Sequence, residues 1–299
     1  MTEPWTYHRN CRVPAGQTLP GGIRRFAALI EYDGGSCPGW QRQAHCSSLQ
    51  QHLEAALSRV GNEPIATVCA GRTDAGVHAT AQVVHFDSGA RRTARNWLLG
   101  GNANLPCFIR LHWVEEVAAG FHARFSALAR TYRYVIHNAS TAPALLRTHT
   151  CWERHPLAID AMEEAGRALL GEHDFSAFQG AGCQSPTPWR HLSALRVWRQ
   201  GALVVIEVTA NAFLLHMVRN LAGALLVVGR GEQPPRWLGD LLEGRQRALG
   251  PATAVPGGLY LVGVHYPPAL GIPALVGGPG FLAVAPPTPV TQPLWQREP

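Results

Sequence analysis

Apolar positions recur along the chain at two spacings, and each spacing predicts one kind of element. Continuous or alternating apolar runs predict strands, and such runs lie at 24–32, 65–70, 81–87, 109–117, 131–138, 192–199, 202–209 and 258–266. Apolar positions three or four residues apart predict helices, and they lie at 49–60, 93–99, 159–170, 213–228 and 236–242.

The helix at 49–60 shows the helical pattern most fully. The serines at positions 47 and 48 precede it and can cap its first amides. Its leucines share one face, whereas Glu54 and Arg59 fall on the opposite side. We therefore expect the leucines to be buried and these two charged residues to face water.

The order of the elements predicts the fold class. The first half reads strand, helix, strand, strand, helix, strand, and the second half repeats this order loosely. Such an order is typical of an α+β fold with a largely antiparallel sheet. We expect an N-terminal lobe at 23–140 and a C-terminal lobe at 141–266, which could share one sheet. The Pro- and Gly-containing segments 1–22 and 267–299 are interpreted as tails.

Charge and composition narrow the possible functions. The chain has 299 residues and a formal net charge of +6, which makes an anionic partner plausible. All 26 basic residues are arginines, so a catalytic lysine that forms a Schiff base and a phosphate-binding Walker lysine are excluded. Arginine is also the cation best suited to phosphate groups and to stacking on bases.

The cysteines and the apolar segments indicate a reduced, cytoplasmic protein. Seven scattered cysteines never form a CxxC pair, and no HExxH motif is present, so neither a disulfide frame nor a metal site is expected. No signal peptide is recognised at the N-terminus. The most apolar segment, 212–228, contains His216, Arg219 and Asn220, so we predict no membrane span.

The stretch GRTDAGVHA, Gly71–Ala79, holds a guanidinium, a carboxylate and an imidazole between two predicted strands. One interpretation is a hairpin loop in which Asp74 and Gly76 only supply turn chemistry. The other is a functional loop whose side chains are held at the edge of a sheet. The spacing alone does not separate the two.

Arg219 falls within an apolar helix, and a buried guanidinium requires an anionic partner. Acids close in sequence are Glu207, Asp240 and Glu243, and any of them could form a structural pair. Asp74 is the further candidate. Pairing with Arg219 would keep its carboxylate ionised, as a nucleophile requires.

Arginines and aromatic residues are interleaved between positions 72 and 133. This span has eight arginines and only four acids. Guanidinium groups and aromatic rings in one region suit a phosphate backbone with unstacked bases. The alternating Tyr132 and Tyr134 also fit an ordinary strand face.

Ordered motifs then extend over nearly all of Arg24 to Tyr266. Besides GRTDAGVHA they are EYDG (31–34), GWQRQ (39–43), SLQQHLEAAL (48–57), NEPI (62–65), QVVHF (82–86), NANLP (102–106), FHARFSA (121–127), YRY (132–134), GEHDFSAF (171–178), CQSPTPWR (183–190), NAF (211–213), HMVRN (216–220) and GLYL (258–261). In these motifs the chain closely resembles the bacterial tRNA pseudouridine synthase A family. The chain departs from the family pattern at Phe108, where Asp is frequent, and at Pro186, where an arginine is lost.

The resemblance implies a fold and an activity. The fold would be that of pseudouridine synthases, with two ferredoxin-like lobes sharing a largely antiparallel sheet and an RNA-binding cleft between them. The reaction would convert uridine to pseudouridine at positions 38, 39 and 40 of the tRNA anticodon arm. It would need no cofactor or metal, and the enzyme would be a homodimer with tRNA as its partner.

The resemblance also implies roles for individual residues. Asp74 would be the nucleophile, Arg72 would replace the flipped base, Tyr132 would contact the target base and Arg219 would pair with Asp74. RNA contacts would fall on Arg92, Phe121, His122, Ala123, Arg124, Phe125, Gly182, Cys183, Gln184, Ser185 and Pro186.

Two other functions fit part of the pattern. An RNA-binding module without catalysis would keep the basic and aromatic residues but would not need Asp74 beside Arg72. A glycosidase-type hydrolase would also use carboxylates, but typically as a pair. Only Asp74 stands in such a motif.

Overall fold

The computed structural model describes residues 19–43, 45–274 and 278–282, and these residues contain ten strands and five α-helices. They form two compact units. The first contains the described residues up to Leu128 and those between Leu261 and Pro279, and the second contains Ala129–Tyr260 and the described residues from Gly280 onward. The predicted tails fall largely on 1–18, 275–277 and 283–299, which lie outside the described residues.

The first unit combines an antiparallel sheet with two helices. Its elements are β1 (Arg24–Tyr32), α1 (Leu49–Gly61), β2 (Thr67–Cys69), β3 (His78–Ser88), α2 (Ala94–Asn104) and β4 (Ile109–Val117). The strand order is β4-β1-β3, with β2 beside β3, and all these pairs are antiparallel. Trp97 of α2 packs edge-on against Phe86 of β3, with ring centroids 5.0 Å apart, and both rings are fully buried.

The second unit has the same general composition. Its elements are β5 (Ala129–Asn138), β6 (Cys151–Glu153), α3 (Ile159–Arg167), β7 (Gly171–Asp174), β8 (Trp189–Gln200), β9 (Leu203–Ala210), α4 (Met217–Gly229) and α5 (Trp237–Gly244). The strand order is β5-β9-β8-β7, with antiparallel pairs, and β6 lies parallel to β5. The last strand, β10 (Leu259–His265), begins in this unit and continues into the first. The predicted α+β class with largely antiparallel strand pairing is thus confirmed.

The predicted helix at 213–228 begins four residues later than its apolar pattern suggests. His216 adopts the left-handed conformation, with φ of 58°, and α4 starts at Met217. The preceding backbone is already occupied, because Gly180 N–H donates to the Leu215 carbonyl at 2.8 Å and the Leu215 amide donates to Cys183 Sγ. These contacts with a distant loop compete with a further helical turn.

The surface position predicted for Glu54 is wrong. Its carboxylate is buried, with only 6% exposed, and accepts hydrogen bonds from the Thr67 amide at 2.9 Å, from Gln50 Nε2 at 2.9 Å and from Arg42. It joins α1 to the short edge strand β2. A buried carboxylate is tolerated when its oxygens are satisfied in this way.

Other boundaries differ in smaller ways. The run at 65–70 forms only the three-residue β2, and α3 ends at Arg167, before the predicted 170. The short strands β6 and β7 were not predicted. Gly171, which directly follows the predicted helix at 159–170, opens β7 with φ of +102°.

No helix in the described part of the chain combines the length and the apolar character that crossing a membrane requires.

The cap of α1 gives a first test. Ser48 is the N-cap, and its hydroxyl accepts the Gln51 amide while Gln51 reaches back to the Ser48 amide, a complete capping box. Ser48→Ala should lower the free energy of unfolding by about 1 kcal/mol. The exposed neighbour provides the control, since Ser47→Ala should change it by less than about 0.5 kcal/mol. Equal effects in urea titrations would show that the box does not stabilise the helix.

Candidate active site

The loop at 71–77 connects β2 to β3, and residues on both sides fix its backbone. Gln82 of β3 donates from Nε2 to the Gly71 carbonyl at 2.5 Å and accepts the Gly71 amide at 3.3 Å. The Thr73 hydroxyl bonds to the Tyr32 hydroxyl at 2.8 Å, and the Thr73 carbonyl accepts the Trp40 amide at 3.0 Å. Three segments distant in sequence therefore hold the start of this loop.

Asp74 lies directly after this anchored part. It is half-buried, between the buried Thr73 and the exposed Ala75, and its carbonyl accepts the Val77 amide at 3.1 Å. Gly76 has φ of 78°, a left-handed conformation that favours glycine and is typical of a turn. The interpretation of this stretch as a hairpin loop requires such a glycine. Arg72 is exposed. The loop thus presents a guanidinium and a carboxylate on a rigid backbone.

The turn after β1 packs backbone to backbone against this loop. The Gly34 carbonyl accepts the Gly76 amide at 3.2 Å. A Cβ at Gly34 would overlap the Val77 carbonyl, and a Cβ at Gly39 would lie 3.1 Å from the Ala75 nitrogen. Gly39 also has φ of +105°. Only glycine permits this approach, which gives the EYDG and GWQRQ motifs a physical role.

His78, the imidazole of the 71–79 stretch, serves the same turn. It is 2% exposed, and its Nδ1 accepts the Gly34 amide at 3.1 Å and lies 3.0 Å from Asp33 Oδ1. Without a proton, His78 Nδ1 accepts a hydrogen bond from the Gly34 amide. With a proton, it donates one to the Asp33 carboxylate. In either state His78 fixes the turn that supports the loop.

Arg219 lies in the first turn of α4, in the second unit. It is half-buried, which corrects the expectation of a buried guanidinium. Its Nε donates to the Ala254 carbonyl at 2.8 Å, and its own carbonyl accepts the Ala254 amide at 3.2 Å. Glu207 pairs with Arg133 at 2.8 Å, while Asp240 and Glu243 are exposed. Of the three acids close to Arg219 in sequence, Glu207 is therefore paired with another arginine.

Tyr132 lies in the middle of β5, opposite Val208 of β9, and is 8% exposed. Its ring meets Phe213 edge to face, with centroids 5.0 Å apart at 85°. Phe213 belongs to the NAF motif that leads into α4. The second unit therefore brings the YRY and NAF motifs together.

The segment 182–186 is anchored to the start of α4. Burial raises the pKa of the Cys183 thiol. Hydrogen bonds from the Leu215 and Ser185 amides and from the Gln179 side chain, together with the nearby charge of Arg190, outweigh burial and lower the pKa below its usual value. The side chain of Arg190 donates to Ser185 Oγ and, at 3.0 Å, to the Thr187 carbonyl. Exposed members of this segment are Gly182, Gln184 and Pro186.

The remaining residues implied as RNA contacts lie in the first unit and differ in exposure. Phe121 and Ala123 are fully buried, so their side chains shape the segment and present no surface. Arg92, Arg124 and Phe125 are exposed. Arg92 also donates from Nε to the Val60 carbonyl at 2.9 Å.

Sequence reasoning missed the residues that support the loop. Gly34, Gly39 and Gln82 all occur in motifs that the resemblance included, but nothing in their local pattern revealed a role. The signal that could have found them is the pair of glycines flanking a turn, which permits close approach of another backbone.

Comparisons with known proteins identify the family of this chain. The family model for tRNA pseudouridine synthase matches residues 28–126 and 165–267. The chain therefore belongs to the tRNA pseudouridine synthase family.

Relatives named tRNA pseudouridine synthase A match most of the chain. The protein of Aeromonas hydrophila is 53% identical over 86% of this chain and 96% of its own length. The protein of Shewanella baltica is 54% identical over 86% of this chain and 99% of its own length. The protein of Klebsiella pneumoniae is 52% identical over 87% of this chain and 97% of its own length.

The packing of Gly34 gives a second test. Gly34→Ala should cost at least about 2 kcal/mol in the free energy of unfolding, because its Cβ would overlap the rigid Val77 carbonyl. Gly35→Ala is the control, since its Cβ would meet only the movable Asp33 side chain, at 3.1 Å. Similar costs for the two variants would contradict the proposed close approach.

The pKa of His85 predicts how the stability of the fold depends on pH. Burial, with Arg25 and His122 nearby, lowers this pKa from 6.5 to about 4. A folded-state pKa below the unfolded value means that stability is complete above pH 6.5 and is lost as the pH falls through 4. The loss should be on the order of 3 kcal/mol.

The control is His85→Asn, which keeps an acceptor but cannot titrate. The stability difference between wild type and this variant should shrink between pH 7 and pH 4. A constant difference across that range would contradict the lowered pKa.

Proposed function

We propose that the protein is a tRNA-modifying isomerase that converts uridine to pseudouridine at positions 38, 39 and 40 of the anticodon arm, with Asp74 as its catalytic carboxylate. Family membership and the relatives named tRNA pseudouridine synthase A support the activity. The observation that carries the role of Asp74 is its place on a loop whose preceding residue, Thr73, is fixed by Tyr32 and Trp40.

The chemistry requires one well-placed group. The N1–C1′ glycosidic bond breaks, the uracil turns, and C5 bonds to C1′. C5 then loses its hydrogen to solvent as a proton and N1 takes up a proton, so the product is an isomer of the substrate. There is no net oxidation or reduction, and the isomerisation itself calls for no cofactor. Asp74 would attack the sugar or the base, or remove the 2′ proton to give a glycal, and these routes remain alternatives.

The target base must first leave the helical stack, at a cost of a few kcal/mol. Arg72 is exposed two residues before Asp74 and could fill the space that the base vacates. Tyr132 would stack on the extruded uracil, and Arg219 would pair with the Asp74 carboxylate. Both roles come from the family resemblance. They are supported by the half-buried guanidinium of Arg219 and by the position of Tyr132 beside the NAF motif.

The finer architecture is part of the same proposal. Two ferredoxin-like lobes, at 23–140 and 141–266, would share the sheet and enclose an RNA-binding cleft. Exposed Arg92, Arg124 and Phe125 would contact the tRNA together with the segment 182–186. The enzyme would act as a cytoplasmic homodimer.

Replacing the carboxylate tests the proposal. Asp74→Ala should abolish tritium release from [5-³H]uridine-labelled tRNA, while tRNA affinity stays within a few-fold, because the carboxylate acts on the reacting nucleotide and does not contribute to phosphate binding. The control is Glu115→Gln, which removes an exposed carboxylate of β4 and should leave tritium release unchanged.

The same assay separates the other functions. Normal turnover by Asp74→Ala would overturn the role of Asp74. Wild-type protein that binds tRNA without tritium release would be an RNA-binding module, and release of free uracil would indicate a hydrolase.

A further inference from the structure

The segment 251–255 lies between α5 and β10 and has no regular secondary structure, yet both of its ends are fixed. At one end, Arg247 donates from Nη2 to the Pro251 carbonyl at 2.7 Å. At the other end, the buried Tyr134 of β5 donates from its hydroxyl to the Val255 carbonyl at 2.9 Å. The segment is therefore tied both to the turn after α5 and to the sheet.

The middle of the segment packs against the first two turns of α4. The Ala254 amide donates to the Arg219 carbonyl at 3.2 Å, and Arg219 Nε donates back to the Ala254 carbonyl at 2.8 Å. A Cβ at Gly223 would lie 2.6 Å from the Ala252 carbonyl, so only glycine permits the two backbones to come this close. Because a guanidinium is planar, a fixed acceptor for its Nε orients the whole group.

A closed set of hydrogen bonds holds Thr253 beside these contacts. The Thr253 hydroxyl donates to Asn220 Oδ1 at 2.7 Å and accepts from Arg247 Nη2 at 3.2 Å. Arg247 Nη2 also lies 3.1 Å from Asn220 Oδ1, to which it donates. Asn220 is 2% exposed, and its Nδ2 donates to the Phe178 carbonyl at 2.7 Å. Both ends of this buried amide are bonded, so the network rigidifies this part of the second unit.

The network flanks both partners of the contact between Arg219 and Ala254. Asn220 directly follows Arg219 in α4, and Thr253 directly precedes Ala254 in the segment. Without the hydrogen bonds of the Thr253 hydroxyl, the Ala254 carbonyl would lose its nearest support, and the Arg219 guanidinium would follow the carbonyl. A misplacement of about 1 Å in a group that acts on the reaction can slow the reaction roughly 100-fold.

We propose that Asn220, Arg247 and Thr253 are positioning residues that orient the Arg219 guanidinium for the isomerisation, because they fix the carbonyl of Ala254. The inference rests on the proposed function, in which Arg219 pairs with the catalytic carboxylate. It adds three residues that act through Arg219 and whose role requires no contact with RNA.

Thr253 gives the cleanest test, because valine has nearly its shape and lacks its hydroxyl. With enzyme in saturating excess, Thr253→Val should lower the single-turnover rate of tritium release from [5-³H]uridine-labelled tRNA about tenfold. The Kd for tRNA should stay within twofold. Thr253→Ser keeps the hydroxyl and should retain most of the wild-type rate. Saturating enzyme makes this rate independent of the folded fraction, so a loss of stability alone would not lower it.

Arg247 tests the network from a second side. Arg247→Met should slow the single-turnover reaction at least as much as Thr253→Val, because it removes three hydrogen bonds. The control is Arg245→Met, which removes the same charge two positions earlier, from a side chain that is 60% exposed, and should leave the rate unchanged. An equal fall in rate for Arg245→Met would trace the effect to lost charge and would overturn the role of Arg247.

A double variant shows whether Thr253 acts through Arg219. Arg219→Lys keeps a positive charge but has no planar guanidinium for the network to orient. Thr253→Val should therefore slow the Arg219→Lys enzyme by less than twofold, compared with about tenfold in the wild-type background. Effects that multiply, or a wild-type rate for Thr253→Val alone, would overturn the positioning role.

Hydrogen exchange separates a failure of this inference from a failure of the proposed function. The Ala254 amide, which is bonded to the Arg219 carbonyl, should exchange faster in Thr253→Val than in wild type or in Thr253→Ser. Equal exchange in all three proteins would overturn the network. Folded wild type that releases no tritium would overturn the proposed function, whereas the exchange rates would still test the network.

Discussion

The contact on which the candidate site depends is the packing of one backbone on another. The turn after β1 approaches the 71–77 loop so closely that a side chain at Gly34 would overlap the Val77 carbonyl. Because this approach involves main-chain atoms, it fixes the position of the Asp74 backbone independently of side-chain rotamers. A catalytic carboxylate must be held within a fraction of an ångström of its productive geometry. The loop meets this need through hydrogen bonds from β1, β3 and Trp40.

Histidines supply a second, recurring device. His78, His85 and His122 each accept backbone amides through Nδ1 in the first unit. An aspartate could accept the same hydrogen bonds, but it would add a negative charge. An enzyme that binds a polyanion gains from acceptors that carry no such charge, since each added carboxylate would repel phosphate. The basic residues are all arginines, and their positive charges likewise favour the binding of a polyanion.

The local spacing of apolar residues predicted the strands and helices well where each element packs through the apolar face that this spacing defines. The strands at 24–32 and 109–117 were predicted with their observed bounds, and Ser48 caps the helix as expected. Prediction failed where a distant segment decided the outcome. The loop at 180–183 occupies the backbone before α4, and Glu54 is buried because Thr67 and Arg42 meet it. The motif around Asp74 was recognisable, whereas its support by Gly34 and Gln82 depends on contacts that no local pattern contains.

The central claim is that Asp74 carries out uridine isomerisation in tRNA. Its most direct test is to map pseudouridine in tRNA from a bacterial strain that lacks its own enzyme and is complemented with this chain. Wild type should restore pseudouridine at positions 38, 39 and 40, and Asp74→Ala should restore it at none of them. Restoration by Asp74→Ala, or failure of folded wild-type protein to restore any of the three, would contradict the account.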